Sequence, residues 1–429
     1  MTVALIGFIV VFVLAFAGIP LAFSLLLVGV GGYAALRGID PALFMLGQIV
    51  VDSSTNYGMS VLPMFILMGL FVHKADISTE LYDAAYAWLG HMRGGLAHAT
   101  VAACGLFAAI SGSSIATAAT MTKVAMPPMR RLGYSDSLST GAVASGGVLG
   151  VLIPPSVPLV IFGLLTETDI RKLFIAAIVP GILLLILFIV AIWATVLLRP
   201  SLGPRGEKKL FKQRFMALKG VWSTLLLFVL VMGGLYGGVF TATECAGMGA
   251  MGAFIIAVAR RKMSWRVLLE CLKETAATTA MIFVIVFGAL VFANFVTLSG
   301  MTAQLVEWIQ TNGFSTMGVL LAMVLIYLVL GAVMEVMSVL LLTAPIFTIV
   351  AIDMGIDPVW FGIFVVVMIE VGMLTPPVGM NVFTVKSILP DVTLSTIYRG
   401  VAPFIIANLI LVLIIIIWPT FVLIPLSWF

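Results

Sequence analysis

The 429-residue chain is 62% hydrophobic and 9% charged, with a mean hydropathy of +1.24. Apolar runs of membrane-spanning length recur throughout, which excludes a soluble globular domain and describes a polytopic α-helical protein of the lipid bilayer. The net charge of +4 does not point to nucleic acid, because the basic residues sit in short loops between apolar segments, where they report topology.

The first half predicts spans at 2–17, 19–36, 57–73, 138–166 and 173–198. Met1 to Val13 resembles a signal core, but it runs into Gly18-Ile19-Pro20 and further apolar sequence without an A-x-A-like cleavage site, so it reads as a retained span. Ser78 to Leu89 mixes Tyr82, Tyr86 and Trp88 with charges, which predicts an interfacial helix. Residues 98–128 are apolar but divided at Ser111-Gly112-Ser113-Ser114, which suits a re-entrant helical hairpin with a polar tip. The 138–166 span carries Pro154-Pro155. Proline lacks an N–H and disfavours helical geometry in the residue before it, so this helix should break in mid-membrane and expose backbone polar groups. Residues 199–220 hold seven Lys or Arg against the single acid Glu207 and form a cytoplasmic linker.

The second half repeats the order, with spans at 221–238, 240–259, 276–298, 359–386 and 400–424, a hairpin at 315–351 and an interfacial stretch from Gly300 to Thr311. Pro154 and Pro376 are 222 positions apart, as are Gly133 and Gly355, Gly150 and Gly372, and Leu152 and Leu374. The chain therefore reads as two related halves, 1–198 and 221–429. Five crossings per half is an odd number, so the halves are inverted relative to one another. Charge agrees with this parity: Arg130-Arg131 and Arg260-Arg261-Lys262 fall on the side of the linker, and the acid-bearing loops at 300–314 and 352–358 fall opposite. The expected fold is an all-α polytopic membrane protein of two inverted repeats, each with a re-entrant hairpin and a broken helix. Both termini face outward, and the hairpins enter from opposite sides.

Backbone left open in lipid is costly unless it lines a cavity, so two symmetric breaks mark a central binding site. The first hairpin tip, Ser111 to Thr117, offers hydroxyls and half-helix ends that suit a small cation or a substrate carboxylate; close helix packing is the simpler use of such small residues. At the second tip Glu335 lies in a long apolar run and should face a cavity, a cation or a donor. It could neutralise a cation, carry a proton or orient the hairpin. Asn381, beyond its proline pair, either turns its amide into the break or bonds between helices. Glu370 reads as a packing or gating residue, Glu244 as a partner of backbone, and Lys123 and Lys386 as snorkelling to the cytoplasmic interface. His73, His91 and His98 cluster in or beside one cytoplasmic loop, with solvated or capping roles. There is no G-x-x-x-x-G-K-[ST], H-E-x-x-H, G-x-S-x-G or Cys/His metal spacing. Any energy source is an ion gradient or another subunit.

The segments Ser111 to Ala119, Gly150 to Ser156, Gly233 to Glu244 and Gly372 to Asn381 together resemble the large membrane subunit of tripartite ATP-independent periplasmic (TRAP) transporters, in order and spacing over nearly the whole chain. That resemblance implies a sodium-driven elevator importer of organic acids in the bacterial inner membrane. A periplasmic binding protein would deliver the substrate, and a small four-helix membrane subunit would join the scaffold. By the same carry-over, sodium sits near Ser111, Ser114 and Gly150 in one half and Gly331, Gly372 and Thr375 in the other. Substrate lies near Ser113, Thr117, Pro154, Ser156, Glu335, Ser338, Pro377 and Asn381. The rival readings are a proton-coupled organic-anion transporter, the membrane domain of an ATP-driven importer, an intramembrane enzyme and a passive anion channel. The second lacks a reason for paired hairpins, and the enzyme lacks a converging catalytic pair.

Overall fold

A computed structural model describes residues 2–428. The first half begins with α1 (Thr2–Phe16), α2 (Leu21–Arg37), α3 (Ile39–Thr55), α4 (Val61–Lys74) and the short α5 (Ile77–Leu89). A hairpin of α6 (Gly95–Ser111) and α7 (Ser114–Arg131) follows, then the broken helix α8 (Asp136–Leu152) and α9 (Val157–Thr166), then α10 (Ile170–Leu198). The second half comprises α11 (Phe211–Tyr236), α12 (Ala242–Ala259), α13 (Trp265–Leu298), α14 (Met301–Thr311), the hairpin α15 (Thr316–Val333) and α16 (Val336–Asp353), the broken helix α17 (Pro358–Leu374) and α18 (Met380–Ile388), α19 (Leu394–Ile417) and the single turn α20 (Thr420–Leu423). Among the described residues, nine helical stretches are long and apolar enough to cross a membrane, and α1, α2, α6 and α17 are shorter apolar helices.

The helical hairpins, the broken helices and the short helices at 77–89 and 301–311 fall where the residue pattern puts them. Two features differ. Residues 39–55 form a helix that the span reading passes over, because Asp40, Gln48 and Asp52 interrupt its apolar run. In addition, α13 runs unbroken for 34 residues, starting at Trp265 rather than near 276. A shift of 222 maps α3 and α4 together onto α13. The first half turns at Asn56, whose side chain accepts from the Gly58 N–H at 2.8 Å. The matching positions are Thr278 and Ala280, neither of which interrupts a helix, so α13 continues.

The two halves interleave rather than abut. α2 lies along α13 and α12 along α4; α9 packs on α16, and α18 on α7. Small residues permit the closest of these contacts. A Cβ on Gly288 would stand 2.6 Å from the Ala22 carbonyl oxygen, and one on Gly29 would stand 2.8 Å from the Phe292 nitrogen.

One end of the bundle gathers the linker and the basic pairs of α7 and α12. The Gly203 carbonyl accepts from Gly94 N at 3.0 Å, and Leu202 O from Ser135 N at 3.1 Å, fixing the linker under α6 and α8. Tyr134 donates to Pro204 O at 2.7 Å and accepts from Leu96 N at 3.1 Å; burial pushes its hydroxyl up to about 12. Arg260 pairs with Glu80 at 2.7 Å and Lys262 with Asp76 at 2.8 Å, tying α12 to α5. Arg130 joins Asp136 at 2.8 Å and Asp391 at 2.6 Å. The opposite end holds the link from Arg171 to the Tyr236 carbonyl and that from Gln310 to Asp353.

Individual polar residues refine the picture. Glu244 accepts from the Thr241 amide at 2.8 Å and closes a capping box on α12, the backbone role expected of it. His98 is no loop residue: it is buried on α6, with its ring nitrogens 3.0 Å from Gly94 O and 3.3 Å from Ile189 O. The Lys386 ammonium caps carbonyls of Pro390 and Val392, each at 2.8 Å. Glu370 is fully buried on α17, near the Leu152 backbone, and neither carboxyl oxygen reaches hydrogen-bond geometry with any described group.

Candidate functional site

The first tip is shaped by one residue that must be glycine. Gly112 terminates α6 with φ +60°, a conformation open to glycine at little cost, and a Cβ there would lie 3.0 Å from Pro155 O. Ser113 then caps α7, accepting from Ala116 N at 3.3 Å. Thr117 Oγ1 donates to Ser113 O at 2.7 Å, so the Ser111 hydroxyl, 3.0 Å from Thr117 Oγ1, is the donor of that pair. Both lone pairs of Ser111 are left for another group.

Facing this tip is the first break. α8 ends at Leu152, the chain passes through a cis Pro154-Pro155 bond, and Ser156 caps α9 by accepting from Leu159 N at 3.3 Å. The Ser156 hydroxyl also donates to Val151 O, splicing the two half-helices together. Gly150 brings α8 against the tip, where a Cβ would stand 3.2 Å from the Ser113 carbonyl oxygen.

The second tip has a carboxylate where the first has Ser113. Glu335 caps α16, accepting from Met337 N at 2.9 Å and Ser338 N at 3.3 Å. Two donors and the positive end of a helix hold this half-buried acid. Behind it, Gly331 and Gly372 meet backbone to backbone: a Cβ on Gly372 would lie 2.4 Å from Gly331 Cα. The second break is tied to the hairpin through Ala332 O, which accepts from Val378 N at 3.2 Å and Gly379 N at 3.3 Å. Thr375 Oγ1 donates to Val371 O at 2.6 Å, and Tyr398 donates to Pro377 O at 2.8 Å.

Both tips open on one cavity of about 230 Å³, lined by Ser113, Ser114 and Glu335 and closed by Thr278 and Met281 of α13. Thr117, Pro154, Ser156, Ser338, Pro377 and Asn381 do not line it. The Asn381 amide is buried, donating to Ser114 Oγ at 2.7 Å and to Ala144 O at 3.0 Å. Thr278 and Met281 escape the sequence reading; the hydroxyl-rich run Thr275 to Thr279 inside an apolar helix is the signal for them.

The oxygens near the two breaks are of the uncharged type that a hard monovalent cation takes. Such ions take oxygen ligands, and the groups available are the Ser111, Ser114 and Thr375 hydroxyls with backbone carbonyls beside Gly150, Gly331 and Gly372. No described group of three or more His, Cys, Asp or Glu is placed to hold a metal, so these oxygens are neutral and suit a single charge. The glycine contacts at Gly150 and Gly372 exclude any side chain that would fill the space.

A family model described as the DctM component of the tripartite ATP-independent periplasmic transporters matches residues 8–421. The chain is 37% identical over 365 residues to the C4-dicarboxylate TRAP transporter large permease protein DctM of Pseudomonas aeruginosa, covering 85% of each. It is 33% identical over 412 residues to the sialic acid TRAP transporter large permease protein SiaM of Vibrio cholerae, covering 96% and 95%. The 2,3-diketo-L-gulonate TRAP transporter large permease protein YiaN of Escherichia coli is 29% identical, with 96% of each covered. Among solved structures, the Alcanivorax borkumensis YdaH transporter shares the fold, with TM-score 0.63 over 90% of this chain and 89% of its own, at 15% identity.

Proposed function

The chain belongs to the family of DctM components, the large permeases of TRAP transporters, and on that premise we propose that it is the membrane subunit of a sodium-coupled importer of organic acids. The carrying observation is the convergence of Ser113, Ser114 and Glu335 from the two hairpin tips on a single cavity beside both helix breaks. A carboxylate substrate would accept from the exposed N-terminus of α7 and its hydroxyls, where the helix dipole and amides favour an anion. Glu335 would repel a second carboxylate unless it is protonated or turned to a substrate hydroxyl, which makes it the residue that discriminates among acids.

Sodium would occupy the neutral oxygens at Ser111, Ser114 and Gly150 and at Gly331, Gly372 and Thr375. Binding there tightens each tip against its broken helix, so ion and substrate favour the same state and each raises the other's affinity. The hairpins and broken helices would then move as one body past the scaffold of α1–α4 and α11–α13, an elevator step with the hairpins re-entrant from opposite faces. The relatives' names support two further parts of this reading, a periplasmic binding protein as donor and a small membrane subunit as partner; the apolar spans and the basic face support residence in a bacterial inner membrane with that face in the cytoplasm.

The test is uptake into proteoliposomes holding this chain and its small partner. Labelled succinate, sialic acid and 2,3-diketo-L-gulonate are offered with and without the binding protein and an inward sodium gradient. Uptake that requires both is the expected result. Uptake indifferent to sodium but responsive to a proton gradient would move the coupling to Glu335 or Glu370 and defeat the sodium reading.

A further inference from the structure

Three neighbouring cavities lie along α7 and share lining residues. The tip cavity shares Ser113 and Thr278 with a cavity of about 620 Å³ that runs toward the basic face between α7, α4 and α13. That cavity shares Thr79, Lys123 and Val124 with another of about 640 Å³, which continues to Arg131. Ser113, Thr120, Lys123 and Arg131 thus line neighbouring cavities along one side of α7, at helical spacing.

Lys123 lines both of the outer cavities. It is exposed there and has no described ion-pair or hydrogen-bond partner. The other charges nearby are partly engaged: Lys74 lies 3.7 Å from Glu270 and Asp76 lies 2.8 Å from Lys262. Glu274 on α13 faces the same cavity without coming within ion-pair distance of Lys123, and Asp83 lines the outer one. Beside Lys123, His73 Nδ1 approaches Thr120 Oγ1 at 3.4 Å across the gap between α4 and α7.

We propose that Lys123, with the His73 and Thr120 side chains, forms a second carboxylate site on the release path, separate from the site at the tips. An ammonium without an ion-pair partner set in a cleft attracts an anion more strongly than one on an open surface. Ten residues of α7 separate Ser113 from Lys123, about 15 Å of helix rise, so a small acid held at the tips does not reach the ammonium. The acid must leave one site to occupy the other. The site recognises the carboxylate group itself and takes any small organic acid.

This inference rests on the organic-acid reading, and two measurements separate their failures. In the first, purified protein in nanodiscs is acylated with sulfo-N-hydroxysuccinimidyl acetate, and modification of each lysine is followed by peptide mass spectrometry. Millimolar succinate should slow acetylation of Lys123 by about threefold, a modest ion-pair effect, and leave Lys208 in the linker unchanged; dimethyl succinate should protect neither. Equal rates at Lys123 with and without succinate overturn the site. In the second, proteoliposomes are preloaded with unlabelled acid, and the luminal concentration that halves uptake is measured with the binding protein outside to select orientation. Lys123→Gln should raise that concentration by about fivefold and leave external half-saturation unchanged, with Lys123→Arg retaining wild-type behaviour. An equal change on both sides would assign Lys123 to the central site. Recovery of wild-type values in the Lys123→Gln/Glu274→Gln double variant would make it a charge pair across the gap; either result overturns the proposal. Protection of Lys123 in a protein that transports no acid would leave the site standing and remove the import reading.

Discussion

Ser114 and Asn381, 267 residues apart in the chain, bind each other in both directions: the hydroxyl lies 3.0 Å from the amide oxygen and 2.7 Å from the amide nitrogen. Neither is exposed, and the contact joins the first hairpin to the second broken helix at the point where α18 packs on α7. Asn381→Ala would leave Ser114 and the Ala144 carbonyl without their partner in the interior. The expected cost is about 1–3 kcal/mol, read as lower thermal stability in detergent. A double-mutant cycle with Ser114→Ala should return a coupling of roughly 1 kcal/mol, and additive effects would deny that the pair is a unit. Ser114→Ala alone should also weaken the sodium dependence of uptake.

Glu335 both caps a helix and faces the tip cavity, and substitutions separate those roles. Glu335→Asp keeps a good capping oxygen and should fold normally. Glu335→Ala should lose about 1 kcal/mol of stability and most of its transport, at least roughly tenfold in initial rate. Normal transport by the alanine variant would remove Glu335 from the site.

The contact of Gly331 with Gly372 admits no side chain. Gly372→Ala forces a Cβ to within 2.4 Å of backbone, so the hairpin must separate from the break. Loss of uptake with retained membrane insertion is the expected outcome, checked by transport and by size-exclusion profile. Gly247, with open space around its Cβ position, should accept alanine without effect.

Glu370 sits in the interior with both carboxyl oxygens unpartnered. A buried acid in that position is a net cost to the fold, and a side chain of similar length without charge removes it. Glu370→Met should raise thermal stability by about 1–3 kcal/mol, measured by thermal shift in detergent. A fall in stability would show that the carboxyl has a partner the wild-type protein depends on.

Acid should loosen the basic face. The Arg130 guanidinium holds the Asp391 carboxyl below its ordinary value. A depressed folded value means that the stabilisation is present above the unfolded value, near 3.9, and is lost as pH falls through the folded one. Thermal stability measured from pH 5 down to pH 3 should therefore decline less in Asp391→Asn than in wild type.

Proline pairs and the 222-residue shift make the hairpins and the broken helices legible in the sequence, because each is a local or periodic signal. The helix at 39–55 was not legible, since Asp40 and Asp52 dilute its hydropathy, and neither was the long α13, whose first turns carry Lys273 and Glu274. At the site, the sequence supplied the hydroxyls without their direction. Ser156 and Asn381 turn inward to backbone and to Ser114, whereas Ser113 opens to the cavity, and nothing in residue type separates the two. Thr278 and Met281 reach the site from α13, far along the chain, a contact only the packing of that helix reveals.

Interleaving also governs how the protein comes into being. When residues 1–198 have left the ribosome, α2 and α4 still lack α13 and α12, and α7 and α9 still lack α18 and α16. The early half waits in the bilayer with its mating surfaces bare, and its native contacts form only when the late half arrives. A nascent chain of this kind depends on the timing of synthesis: stalled after the linker, it has none of these partner helices to pack against.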